Sequence, residues 1–136
     1  MTEPPVILLH GALGAATMLE PLAARLAGRF GVHVLDFEGH GAAPAAARPF
    51  RIAHFAENVL ALLDARGIAE ADLFGHSMGG YIAVWLARYH PERVRRVLTL
   101  GSKFAWTPEF AQAEIRTLDA DKIAAKVPQF AAALSA

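Results

Sequence analysis

Phe74-Gly75-His76-Ser77-Met78-Gly79-Gly80 is the stretch whose reading decides the fold. Before it, Asp72-Leu73-Phe74 reads as a strand; after it, Met78, Ile82, Trp85, Leu86 and Tyr89 recur at helical spacing until Pro91 stops the pattern. The serine of Gly-x-Ser-x-Gly therefore stands on a strand-to-helix turn. With 11 glycines and three serines in 136 residues, the pattern is far from a chance arrangement. A side chain at position 75 or 79 would collide where strand and helix approach, and such a turn holds its serine at a strained tip. At the start of the helix the backbone N–H groups lack intrahelical acceptors, so the N–H of Met78 can face a negative oxygen. Ser77 is the candidate attacking hydroxyl and Met78 the candidate anion donor. The plainer alternative is that Gly75 and Gly79 only fit a tight packing and Ser77 only caps the helix.

Working outward, Val6-Ile7-Leu8-Leu9 is a β-branched and aliphatic run that reads as a strand buried on both faces. Thr17-Met18-Leu19-Glu20 has the spacing of a capping box, with Pro21 in the first turn, and predicts a helix through Leu22 and Leu26 that stops near Gly28. Val32–Leu35 is the next strand, closed by the turn Asp36-Phe37-Glu38-Gly39-His40-Gly41. Ile52, Phe55, Val59, Leu62 and Leu63 give one apolar helical face ended by Gly67, and Val94–Leu100 is the fourth strand. Strand and helix alternate, with connections long enough for crossovers. The expected class is α/β: a parallel sheet of about four strands with crossover helices on both faces. Beyond Gly101 the rhythm changes. Thr107-Pro108-Glu109 is a helix start, Asp119 a second N-cap and Pro128 a breaker, so residues 104–136 read as short helices.

Composition narrows the functional classes. Thirteen basic residues balance thirteen acidic ones, which removes the charge attraction a nucleic-acid binder relies on. Hydrophobic residues make up 54% of the chain, too many for a disordered segment. There is no cysteine, which excludes thiolate nucleophiles and cysteine-held metals and suits a reducing cytoplasm. The start of the chain lacks the basic end and apolar core of a secretory signal, and no membrane span is expected. The six histidines show no metal-ligand spacing, and the first strand lacks the glycine pattern of a dinucleotide site, so neither a metal nor a cofactor is expected.

Three motifs in order now carry a resemblance: Leu9-His10-Gly11-Ala12-Leu13-Gly14, Asp36-Phe37-Glu38-Gly39-His40-Gly41 and Gly75-His76-Ser77-Met78-Gly79-Gly80. Together they resemble the serine-nucleophile branch of the α/β-hydrolase family. The resemblance implies Ser77 as nucleophile, and an oxyanion hole made by the N–H of Met78 and the N–H of Ala12, with Leu13 as the alternative donor. It implies structural roles for His10, Gly11, Gly75, His76, Gly79 and Asp36, with His76 pointing into the surrounding loops. The implied activity is hydrolysis of small carboxylic esters or thioesters. Cleavage at carbon–carbon bonds, or an inactive variant that binds a ligand or partner, are the alternatives.

A serine of this kind needs a base and an orienting acid, which the family supplies later in the chain, in the order Ser, acid, His. The last histidine here is His90, about 13 residues along the helix from Ser77 and so roughly 20 Å away. It cannot be the base. His10, His40 and His54 are the substitutes that could lie on the correct side of the sheet, and Gly101-Ser102-Lys103 stands where some members carry the acid. The expectation is that residues 1–103 are the N-terminal part of an incomplete hydrolase core and residues 104–136 the start of a cap. The fourth strand would then leave an open edge prone to self-association.

Overall fold

The computed structural model describes residues 4–126. The chain divides into two compact units, Met1–Lys103 and Phe104–Ala136. In the first, β1 (Val6–Leu9), α1 (Glu20–Leu26), β2 (Val32–Val34), α2 (Ile52–Ala65), β3 (Ala71–His76), α3 (Met78–Tyr89) and β4 (Val94–Leu100) follow in turn. The four strands form one parallel sheet in the order β2-β1-β3-β4. In that order the chain steps from β1 to β2 in one direction and from β2 to β3 to β4 in the other. Right-handed crossovers therefore put α2 and α3 on one face and α1 on the other.

The core agrees with that assignment. Ile7 and Leu9 of β1 alternate toward the same face as Ala71 and Leu73 of β3, and there they meet Phe55, Ala56, Val59 and Leu63 of α2 and Ile82, Ala83 and Leu86 of α3. These residues are at most 3% exposed, so the α2–α3 face carries most of the hydrophobic stabilisation of this unit. α2 begins at Ile52, the first residue of the expected apolar face, and Gly67 follows it with a φ of +66°.

Three elements differ from the sequence expectation, the smallest difference being β2, which stops at Val34, one residue short of Leu35. Thr17 does not cap α1: residues Ala16–Leu19 form a single 3₁₀ turn, and Leu19, whose side chain makes no capping bond, precedes the helix. Asp36 explains this, because its carboxylate accepts the N–H of Ala16 at 2.7 Å and so supplies an orphan donor with a partner from across the turn. Pro21 does lie in the first turn of α1. β3, expected over residues 72–74, runs on to His76, because β1 pairs with it as far as Gly75 and β4 as far as His76. The longer strand delivers Ser77 directly at its end.

In the second unit α4 (Pro108–Thr117) and α5 (Ala120–Lys126) start where the cap residues place them. Thr107 Oγ1 accepts the N–H of Phe110 at 3.1 Å, and Asp119 Oδ1 accepts that of Lys122 at 2.9 Å. Pro128, the expected breaker, lies outside the described residues. Among the described residues no helix is long and apolar enough to cross a membrane.

Candidate active site

β3 and α3 meet at Ser77 with a φ of +54° and a ψ of −117°. That conformation costs an L-residue about 1–3 kcal/mol and persists only where its surroundings force it. Here they do. A Cβ on Gly75 would overlap the backbone of Gly79 and Gly80, and one on Gly79 would overlap Leu9 and His10 at the end of β1. Strand, elbow and helix pack backbone to backbone. The Ser77 side chain makes no capping bond to α3. The turn thus gives this hydroxyl no helix-capping task. Met78, as the first helical residue, has an N–H without an intrahelical acceptor, one residue from that hydroxyl.

The loop after β1 comes to the same place. A Cβ on Gly11 would stand 3.2 Å from Ser77 Cβ and 3.4 Å from His76 Nδ1, so glycine there lets the loop pass beside the serine. Gly14 N–H donates to the Gly11 carbonyl at 3.0 Å, closing a turn in which Leu13 has a φ of +62°. A positive φ at the third residue only is the signature of a type II turn, in which glycine is the usual occupant. Among the described residues Leu13 and Ser77 are the two non-glycine residues with positive φ. Both flank Ala12 and Met78, the two expected anion donors. The side chain of His76 borders Gly11 and Gly101, at the loops after β1 and β4.

His10 holds this loop from beneath. It is 1% exposed; its Nε2 accepts the N–H of Phe37 at 3.2 Å, which leaves the proton on Nδ1, donated to the Gly11 carbonyl at 2.7 Å. Burial is the main cause that holds its pKa below the ordinary histidine value of 6.5. With both ring nitrogens engaged, His10 is not a base for Ser77. His40 Nδ1 lies 3.1 Å from the Glu38 carbonyl and His54 Nδ1 lies 2.9 Å from the Pro49 carbonyl. The structure brings none of the three substitutes into hydrogen bonding with Ser77 among the described residues. His90 follows the last residue of α3, at the other end of the helix from Ser77.

The turn after β2 is a scaffold. Asp36 accepts from Ala16 and, at 3.2 Å, from Ala42. Glu38, 7% exposed, accepts from Arg48 Nη2 at 2.6 Å and Nε at 3.0 Å and from Asn58 Nδ2 at 2.9 Å, and Arg48 also bridges to Glu57 at 2.6 Å. Arg48 above all lowers the Glu38 carboxyl from 4.5 to about 2. Sequence reasoning missed Arg48 and Asn58, which carry no local pattern: one sits in an Ala/Pro-rich loop, the other on the flank of an apolar helix face. It also missed Ser102, whose Oγ donates to the Ser77 carbonyl at 2.7 Å. Among the described residues no group of three or more His, Asp or Glu could hold a metal ion.

A family model for the alpha/beta hydrolase fold matches residues 4–130. The chain belongs to the α/β-hydrolase family. It is 41% identical over 100 residues to a pimeloyl-(acyl-carrier protein) methyl ester esterase of Neisseria meningitidis, covering 74% of this chain and 36% of that protein. It is 33% identical over 109 residues to 3-oxoadipate enol-lactonase 2 of Acinetobacter baylyi, covering 75% and 41%. Among solved structures, a hydrolase from Pseudomonas aeruginosa superposes with a TM-score of 0.80 at 27% identity, over 94% of this chain and 49% of that one. This α/β-hydrolase chain thus spans about two-fifths of the length of the curated relatives it matches.

Proposed function

We propose that this chain carries the nucleophile and the oxyanion hole of a serine hydrolase acting on carboxylic esters or thioesters in the cytoplasm. The observation that carries the reading is the backbone of Ser77: a non-glycine residue held at a φ of +54° at the start of a helix, its hydroxyl spared from capping. Ser77 Oγ attacks the substrate carbonyl carbon as its proton passes to a base. The N–H groups of Met78 and Ala12 hold the tetrahedral oxyanion, which collapses to expel the alcohol or thiol and leave an acyl group on Ser77. Water then releases the acid. His10 has both ring nitrogens engaged, and neither His40 nor His54 is hydrogen-bonded to Ser77 among the described residues, so in this reading the imidazole and carboxylate that complete the machinery come from outside this chain; the unit from Phe104 onward is read as the start of a cap. Relatives named for a methyl ester and a lactone, which is a cyclic ester, support the substrate class.

p-Nitrophenyl acetate at alkaline pH, where hydroxide takes the serine proton and the leaving group needs no protonation, tests this. Peptide mass mapping is expected to find one acetyl group on Ser77 and none in Ser77→Ala. A folded chain that stays unmodified at Ser77 refutes the proposal.

A further inference from the structure

Ser77 and Met78 share one peptide unit, and the hydroxyl of Ser102 grips it from behind. β4 ends at Leu100, whose carbonyl accepts the N–H of Ser77 at 2.9 Å; Gly101, at a φ of +64°, then turns the chain back. The turn sets Ser102 over Gly80, where a Cβ at position 80 would overlap Ser102 Oγ and stand 3.0 Å from Ser102 Cβ. From there Ser102 Oγ donates to the Ser77 carbonyl at 2.7 Å, alongside the N–H groups of Gly80 at 3.0 Å and Tyr81 at 3.3 Å. A trans peptide is planar, with its C=O and N–H pointing in opposite directions. Fixing the carbonyl of Ser77 therefore aims the N–H of Met78. Hydrogen bonds accepted at a carbonyl also polarise the amide and strengthen its N–H as a donor.

We propose that Ser102 is a positioning residue of the oxyanion hole, which orients and polarises the Met78 N–H through the Ser77 carbonyl. The inference rests on the reading of Ser77 as the nucleophile. It also gives a role to the position after β4 where an acid was sought and a serine stands. Ser102 touches neither substrate nor the reacting atoms.

The test compares the chain with Ser102→Ala, which removes the hydroxyl, and Ser102→Thr, which keeps it. The first readout is independent of reactivity: in Ser102→Ala the Ser77 carbonyl carbon and the Met78 amide should shift upfield in NMR spectra, and in Ser102→Thr they should stay near their original positions. The second is phosphonylation of Ser77 by a fluorophosphonate. Ser102→Ala should lower the limiting rate about tenfold with an unchanged half-saturating concentration, less than the ~10²–10³-fold lost when an oxyanion donor is removed outright; Ser102→Thr should restore it. If Ser102→Ala does not fold, Ser102→Cys, similar in size but a weak donor, takes its place with the same expectations. Unmoved Ser77 and Met78 signals, or an unchanged limiting rate, overturn the proposal. A wild-type chain that takes up no phosphonate at alkaline pH, where hydroxide stands in for the base, overturns the nucleophile reading instead, and the NMR shifts then decide on Ser102 alone.

Discussion

Replacing Arg48 by methionine removes two charge-assisted hydrogen bonds from a carboxylate that is 7% exposed. Glu38 keeps Asn58, so its charge is left buried and half satisfied. Lowering its pKa from 4.5 to about 2 corresponds to about 3 kcal/mol of stability at neutral pH. Arg48 is 33% exposed and partly screened by water, which brings the expected loss in Arg48→Met to about 2–3 kcal/mol. The folded-state pKa is depressed, so this contribution is complete above pH 4.5 and fades as pH falls toward 2. At pH 3 the two proteins should differ by only about 1 kcal/mol. Urea unfolding followed by circular dichroism at pH 7 and pH 3 reads both values, and their difference cancels the titration of other groups. A loss that is equal at the two pH values, or below about 0.5 kcal/mol at pH 7, would show that the Glu38–Arg48 pair does not hold the loop after β2.

Three further outcomes are expected. Ser77→Gly should abolish acylation yet raise stability by about 1 kcal/mol in thermal unfolding, because relief of backbone strain outweighs the added chain entropy of glycine; a destabilised variant would mean the turn is not strained. His10 should titrate below 6.5 and carry its neutral-state proton on Nδ1, both visible in ¹⁵N NMR. Because that pKa is depressed, its stabilising contribution is present above pH 6.5 and is lost as pH falls below it. Among the described residues β4 pairs only with β3, and Leu98 and Leu100 on it are 66% and 60% exposed. Sedimentation at micromolar concentration should show self-association, reduced in a Leu98→Lys, Leu100→Lys variant; a monodisperse unmodified monomer contradicts this.

The parallel α/β architecture was legible because its signals are local. Val94–Leu100 and the start of α3 at Met78 follow from apolar runs and from glycines whose spacing only a close strand–helix approach requires. Thr107 and Asp119 cap α4 and α5 as their side chains and spacing indicate. Thr17 failed for a reason no local pattern contains: the carboxylate of Asp36, twenty residues on, takes the Ala16 N–H and replaces a cap by a turn. The same applies at the candidate site. Glycines 75 and 79 announce the elbow, but the strain at Leu13 and the contacts of Arg48, Asn58 and Ser102 depend on segments that meet only in the folded chain. His10 illustrates both sides, since its His-Gly motif marks the loop while its partner Phe37 lies 27 residues away.

The central claim is that Ser77 is a nucleophile facing an anion site built from backbone N–H groups. A crystal structure of the fluorophosphonate-treated protein tests it most directly. The expected result is a phosphonyl group on Ser77 Oγ, with one oxygen about 2.7–3.1 Å from the backbone nitrogens of Met78 and Ala12. An adduct on another residue, or a phosphonyl oxygen directed away from both amides, would contradict it.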